Sequence, residues 1–136
     1  MKDQQMTTIY ELIGGETTLK ALVHRFYEIM DVLPEAKGIR EMHTDLARAE
    51  EKLFFFLSGW LGGPNLFVEK HGHPKLRARH LPFKIDKSER DQWMLCMVQA
   101  FDDVGIKEPV STELLHSLLN LADHMRNHSQ TGPLDC

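Results

Sequence analysis

His71-Gly72-His73-Pro74-Lys75-Leu76-Arg77-Ala78-Arg79-His80-Leu81-Pro82-Phe83 packs three histidines, two arginines and two prolines into one short segment. Pro74 suits the first position of a helix, where its missing N–H costs nothing, and Pro82 discourages helix from Leu81 onward. Between the two prolines there is room for about two helical turns. His80 falls at the end of that segment, beside Arg79 and Leu76. One imidazole on a short basic helix offers a single ligand to a metal. Two plainer readings stand beside it. His71, His73 and His80 can be read as a zinc site, although no cysteine or acid completes the set. His80 alone can be an ordinary solvated or core histidine.

Outward from this segment the chain reads as helix after helix. Thr7 or Thr8 caps a short helix that Gly14-Gly15 ends. Glu16 to Met30 then carries Leu19, Leu22, Val23, Phe26, Tyr27 and Met30 on one face. Pro34 to Met42 reads as one or two helical turns. Asp45 or Thr44 caps a helix to about Leu61 whose inward face is Leu46, Ala49, Leu53, Phe56, Leu57 and Trp60, and Gly62-Gly63-Pro64 stops it. Asn65 to Lys70 reads as irregular chain or a short turn. Asp86-Lys87-Ser88-Glu89 is a capping-box pattern ahead of a helix with Trp93, Met97, Phe101 and Val104 inward, closed by Gly105. Ser111 or Thr112 caps the last helix, with Leu115, Leu118, Leu119, Ala122 and Met125 inward. No stretch alternates with period two, so the class is all-α.

The chain has 136 residues, 42% of them hydrophobic, which suits one domain with a sizeable core. Residues 7–128 form that domain, between a flexible N-terminus (1–6) and a flexible tail (129–136). The net charge of −4 argues against nucleic acid as a partner, since no basic field draws in phosphates. Lys75, Arg77 and Arg79 are a local basic patch suited to a small anion. Cys96 and Cys136 have neither metal spacing nor a disulfide framework. The N-terminus has no apolar signal region, and the longest apolar run, Leu53 to Leu57, is too short to span a bilayer. These features lead to the expectation of a cytoplasmic protein without a membrane partner. Tyr27, Trp93 and His43 each have an ordinary reading, as buried or solvated side chains, beside a functional one as groups aimed at a bound ligand.

The chain resembles the group II truncated haemoglobins, the bacterial two-over-two helical globins, from about Thr8 to Met125. The resemblance rests on Tyr10-Glu11-Leu12-Ile13-Gly14-Gly15, Arg25-Phe26-Tyr27, Gly62-Gly63-Pro64, the run from Gly72-His73-Pro74 to His80-Leu81-Pro82-Phe83, and Glu89-Arg90-Asp91-Gln92-Trp93. It implies a two-over-two fold, with a b-type haem held through its iron by His80 on a short helix. It implies Tyr27 and Trp93 as groups that stabilise the iron's ligand, and places His43 beside them. Ala49 falls at the gate of the pocket, with Leu53 one turn deeper. Phe26, Phe83, Leu76 and Phe67 would lie against the haem, Phe67 where some relatives carry a tyrosine. Arg79 would pair with a propionate, and His71 would be an extra donor at the edge.

A haem needs an apolar slot, an imidazole and cations for its propionates. The Phe- and Leu-rich faces and the basic patch can supply these. The leading expectation is an oxygen-binding, and hence oxygen-transport, protein that takes dioxygen or another diatomic ligand. The alternative is a redox enzyme with peroxidase-like or nitric oxide dioxygenase activity, which would draw electrons from a reductase partner. A reading without haem is a zinc-stabilised or metal-free helical interaction domain.

Overall fold

The computed structural model describes residues 7–73, 75–80 and 83–127, at 76 and 77 through the backbone alone. The expectations for the two termini and for Pro74 and Pro82 lie outside the described residues. All regular structure among those described is helical: α1 (Ile9–Ile13), α2 (Gly15–Val32), α3 (Lys37–Met42), α4 (Leu46–Trp60), α5 (Leu66–His71), α6 (Leu76–His80), α7 (Lys87–Val104) and α8 (Val110–His124). A single 3-10 turn, Pro34–Ala36, precedes α3.

Local chemistry explains most of the boundaries. The Thr8 hydroxyl accepts from the Glu11 N–H, and the Glu11 carboxylate accepts from the Thr8 N–H, a reciprocal cap for α1. Gly14 follows in the left-handed region at φ 116°, which lets the chain turn directly into α2. At α7 the Asp86 N–H donates to the Glu89 carboxylate at 2.7 Å, as the capping-box pattern requires.

Two expectations are corrected. Asn65 to Lys70 is neither irregular chain nor a short turn, since the six-residue helix α5 occupies Leu66–His71 and buries Phe67. A helix this short has too few apolar residues to show a period. Nor do Ser111 or Thr112 cap α8, which begins at Val110. Glu108 does this work from outside, accepting from the Thr112 N–H at 2.9 Å and from its hydroxyl at 2.7 Å. Ser111 and Leu114 turn inward instead.

The pair α2 and α4 packs over the pair α7 and α8, with the closest join between α2 and α7. Leu19, Leu22, Val23 and Phe26 of α2 meet Cys96, Met97, Ala100 and Phe101 of α7 in a fully buried centre. Phe54 and Leu57 of α4 join the same core. Arg25 donates to Asp103 at 2.8 Å across the α2–α7 join.

The turn after α4 is held by backbone and by a buried hydroxyl. Ser58 Oγ donates to the Pro64 carbonyl at 2.6 Å, and the Gly63 N–H donates to the Ser58 carbonyl at 2.8 Å. The Tyr10 N–H donates to the Leu61 carbonyl at 2.9 Å, bringing α1 onto this turn. A Cβ at Gly63 would lie 2.6 Å from the base of the Tyr10 ring, inside contact distance. We expect Gly63→Ala to cost about 1–3 kcal/mol, the usual range for overpacking. Denaturant unfolding measures this, and a variant as stable as the parent would show that α1 does not press on the turn.

Candidate functional site

A cleft of about 620 Å³ opens between α2, α3, α4, the chain from α6 to the start of α7, and the end of α8. Its wall is largely apolar. Ala49, Leu53 and Phe56 line it from α4, at steps of four and three, and Phe67 lines it from α5. These α4 residues belong to the inward face read from the sequence, yet they remain half-buried because they face the cleft and not the core. Ile85, Leu121 and Met125 close the far side.

Three ring side chains bring polar atoms to this wall: Tyr27 from α2, Trp93 from α7 and His43 from the end of α3. Tyr27 packs edge-on to His43, with centroids 5.8 Å apart. Phe26 stands behind two of the three, 4.8 Å from Tyr27 and 5.2 Å from Trp93, both edge-on. Phe26 is fully buried and is not among the residues that line the cleft. Its place is to set the angle of the two rings in front of it.

The Tyr27 ring is 7% exposed. Burial, and behind it the negative field of Glu50, pushes its phenol well above the ordinary value of 10.0. Both effects disfavour the phenolate, so the hydroxyl keeps its proton and remains a donor.

His43 Nδ1 lies 2.7 Å from the Ile39 carbonyl. A carbonyl only accepts, so Nδ1 carries a proton, and in the uncharged form of the ring Nε2 is an acceptor. The α3 turn that sets this geometry is itself tied to α7, because the Ile39 N–H donates to Gln92 Oε1 at 2.9 Å. Gln92 adjoins Trp93, so one residue places both sides of the polar cluster.

His80 lines the cleft from the last position of α6, half-buried, with Arg79 beside it. Helix α6 begins only after Lys75, which lies in the left-handed region at φ 46°. Arg79 lies over the Phe67 ring, 5.1 Å from its centroid. Phe83 lines the cleft and is 42% exposed. The Leu76 side chain lies outside the described residues. His71 is not among the lining residues; its ring packs 4.9 Å from Phe67. Burial, then the cations Lys52, Lys70, Arg79 and Arg48, push its pKa down, so it is uncharged at neutral pH.

Arg48 and Lys52, one turn apart on α4, also line the cleft, and neither forms an ion pair among the described residues. Sequence reasoning missed both. Their spacing of four, flanking Ala49 and Leu53, was the available signal.

Taken together, this is a helical protein enclosing an apolar prosthetic group with an anionic edge. Haem fits the residues present: an apolar cleft of adequate size, the imidazoles of His80 and His43 at its wall, and cations to meet two carboxylates. The family model of the bacterial-like globins matches residues 8–127. The group 2 truncated hemoglobin YjbI of Bacillus subtilis (strain 168) is 42% identical over 127 residues, covering 93% of this chain and 94% of that protein. The solved group II 2-on-2 hemoglobin of Agrobacterium tumefaciens superposes with a TM-score of 0.88 at 44% identity, covering 96% of this chain and all of that one. The truncated oxygen-avid haemoglobin of B. subtilis superposes with a TM-score of 0.81 at 43% identity, over 89% of this chain and all of that one. The chain therefore belongs to the bacterial-like globins, as a group II truncated haemoglobin. Its cofactor is haem, through which it binds small ligands. No helix among the described residues is long and apolar enough to cross a membrane.

The state of the Tyr27 hydroxyl can be read directly, because the chain has only two tyrosines. In a Tyr10→Phe variant, ultraviolet titration should show almost no phenolate at pH 10, where a solvated tyrosine is about half ionised. Half-ionisation at that pH would mean that Tyr27 is solvated.

Proposed function

We propose that the protein binds dioxygen at the iron of a haem ligated by His80, with Tyr27 and Trp93 as the hydrogen-bond donors that retain it. The observation that carries this reading is Tyr27, a buried residue that lines the cleft and whose hydroxyl has no protein hydrogen bond among the described residues. Once a prosthetic group fills the cleft and excludes water, a phenol placed so is costly unless something there accepts its hydrogen bond.

The haem, when bound, supplies an iron that takes a diatomic ligand. Everything else is the work of the chain. The His80 imidazole holds the iron from α6. Arg79, Arg48 and Lys52, which line the cleft, would meet the haem propionates. A diatomic ligand with negative charge on its outer atom is stabilised by donors in a low-dielectric wall. Tyr27 O–H and Trp93 Nε1–H are such donors. His43, with its proton committed to the Ile39 carbonyl, offers an acceptor at Nε2 and serves the cluster by orienting a donor. Ala49 is small, which leaves room past the haem edge for a ligand to enter. Tyr27 and Trp93 on different helices make the retention strong, in keeping with the relative whose description is oxygen-avid.

The test is the dissociation rate of dioxygen from the ferrous protein. Tyr27→Phe and Trp93→Phe should each release it faster, by about tenfold or more for a lost donor in a dry site. His43→Phe should change the rate less than either. Unchanged rates in both donor variants would contradict the reading, and a larger effect at His43 would make that ring the donor.

A further inference from the structure

We propose that Asn127 is the positioning residue for the His80 imidazole, a role that rests on the reading of His80 as the iron ligand. Helix α6 has five residues, too few to be stable alone, and it has no extensive packing against any other helix among the described residues. Its end is bonded to a side chain from beyond α8. Asn127 Nδ2 donates to the His80 carbonyl at 3.2 Å and to the Phe83 carbonyl at 2.8 Å. Asn127 Oδ1 accepts from the Ile85 N–H at 2.9 Å, and the Asn127 N–H donates to the Ile85 carbonyl at 2.9 Å.

The pattern selects the residue. The Asn127 NH₂ meets two carbonyls, one of which, that of His80, also accepts from the Phe83 N–H at 3.0 Å, and its oxygen meets one N–H, so the amide has a single orientation that fits all three. Aspartate keeps the acceptor and lacks both donors. Neighbouring charges hold Asn127 in turn. Arg126 donates to Asp86 and to Asp123, each at 3.2 Å, and Arg90 donates to Asp123 at 2.7 Å. The start of α7, the end of α8 and the chain leaving α6 therefore meet at residues 126–127. The height at which α6 presents His80 to the cleft is set by these bonds.

The test uses the full haem-loaded chain with Asn127→Ala and Asn127→Asp. Two readouts are taken: amide hydrogen exchange at Ile85, and the iron–imidazole stretching band of the ferrous, ligand-free protein by resonance Raman. In Asn127→Ala, Ile85 exchange should accelerate, the band should shift or broaden, and haem transfer to an apoglobin acceptor should quicken by up to about tenfold, as for a lost, partly buried hydrogen-bond partner. In Asn127→Asp, Ile85 should stay protected while the band still changes, because the acceptor to Ile85 is kept and the donations to His80 and Phe83 are lost. A band identical to the parent's in both variants overturns the proposal, even if Ile85 exchange rises. Absence of the band in the parent protein would overturn the His80 reading itself.

Discussion

A helix of five residues cannot hold its own shape in water, yet His80 sits at the end of one. The rest of the structure follows from meeting that constraint. The core of α2, α4, α7 and α8 is built without α6, so the imidazole is delivered to the cleft from outside the main packing. On the proposed reading, its place is set by hydrogen bonds and by the prosthetic group that it would ligate. A binding site of this kind couples its own geometry to occupancy.

Helix α4 shows how one element serves both core and site. Phe54, Leu57 and Ser58 are buried against the protein, while Ala49, Leu53 and Phe56 face the cleft. Arg48 and Lys52 stand at the polar margin of that second face. The helix is thus apolar over more of its circumference than a surface helix requires, since it has two partners to meet. The polar cluster is arranged with similar economy. Phe26 supports Tyr27 and Trp93 from behind, and Gln92 ties α3 to α7, so three rings from distant parts of the chain are held at one wall.

Much of this was legible in the residues. The period of α2, the Gly62-Gly63-Pro64 stop and the Asp86–Glu89 cap each follow from local chemistry, and the structure keeps them. His80, Tyr27, Trp93, His43, Ala49 and Leu53 were marked from the family pattern, and the fold brings all six to one cleft. The features that were missed depend on tertiary contacts. Helix α5 is too short for a period, and the cap of α8 comes from Glu108 on the preceding turn. Leu114 turns inward although the apolar pattern favoured Leu115. Phe26 carries the pattern of a haem contact but lies one layer back. The proton on His43 is decided by the Ile39 carbonyl, a partner that spacing alone does not identify.

The central claim is that His80 alone, from this chain, holds the iron. It is tested most directly by His80→Gly, which opens a space where free imidazole can stand in for the lost ring. The variant, given one equivalent of haem, should bind it weakly, with an altered Soret band. Added imidazole should restore both the retention and the parent spectrum of the ferrous protein. A His80→Gly protein that keeps its haem and its spectrum, and is indifferent to imidazole, would place the ligand elsewhere in the chain.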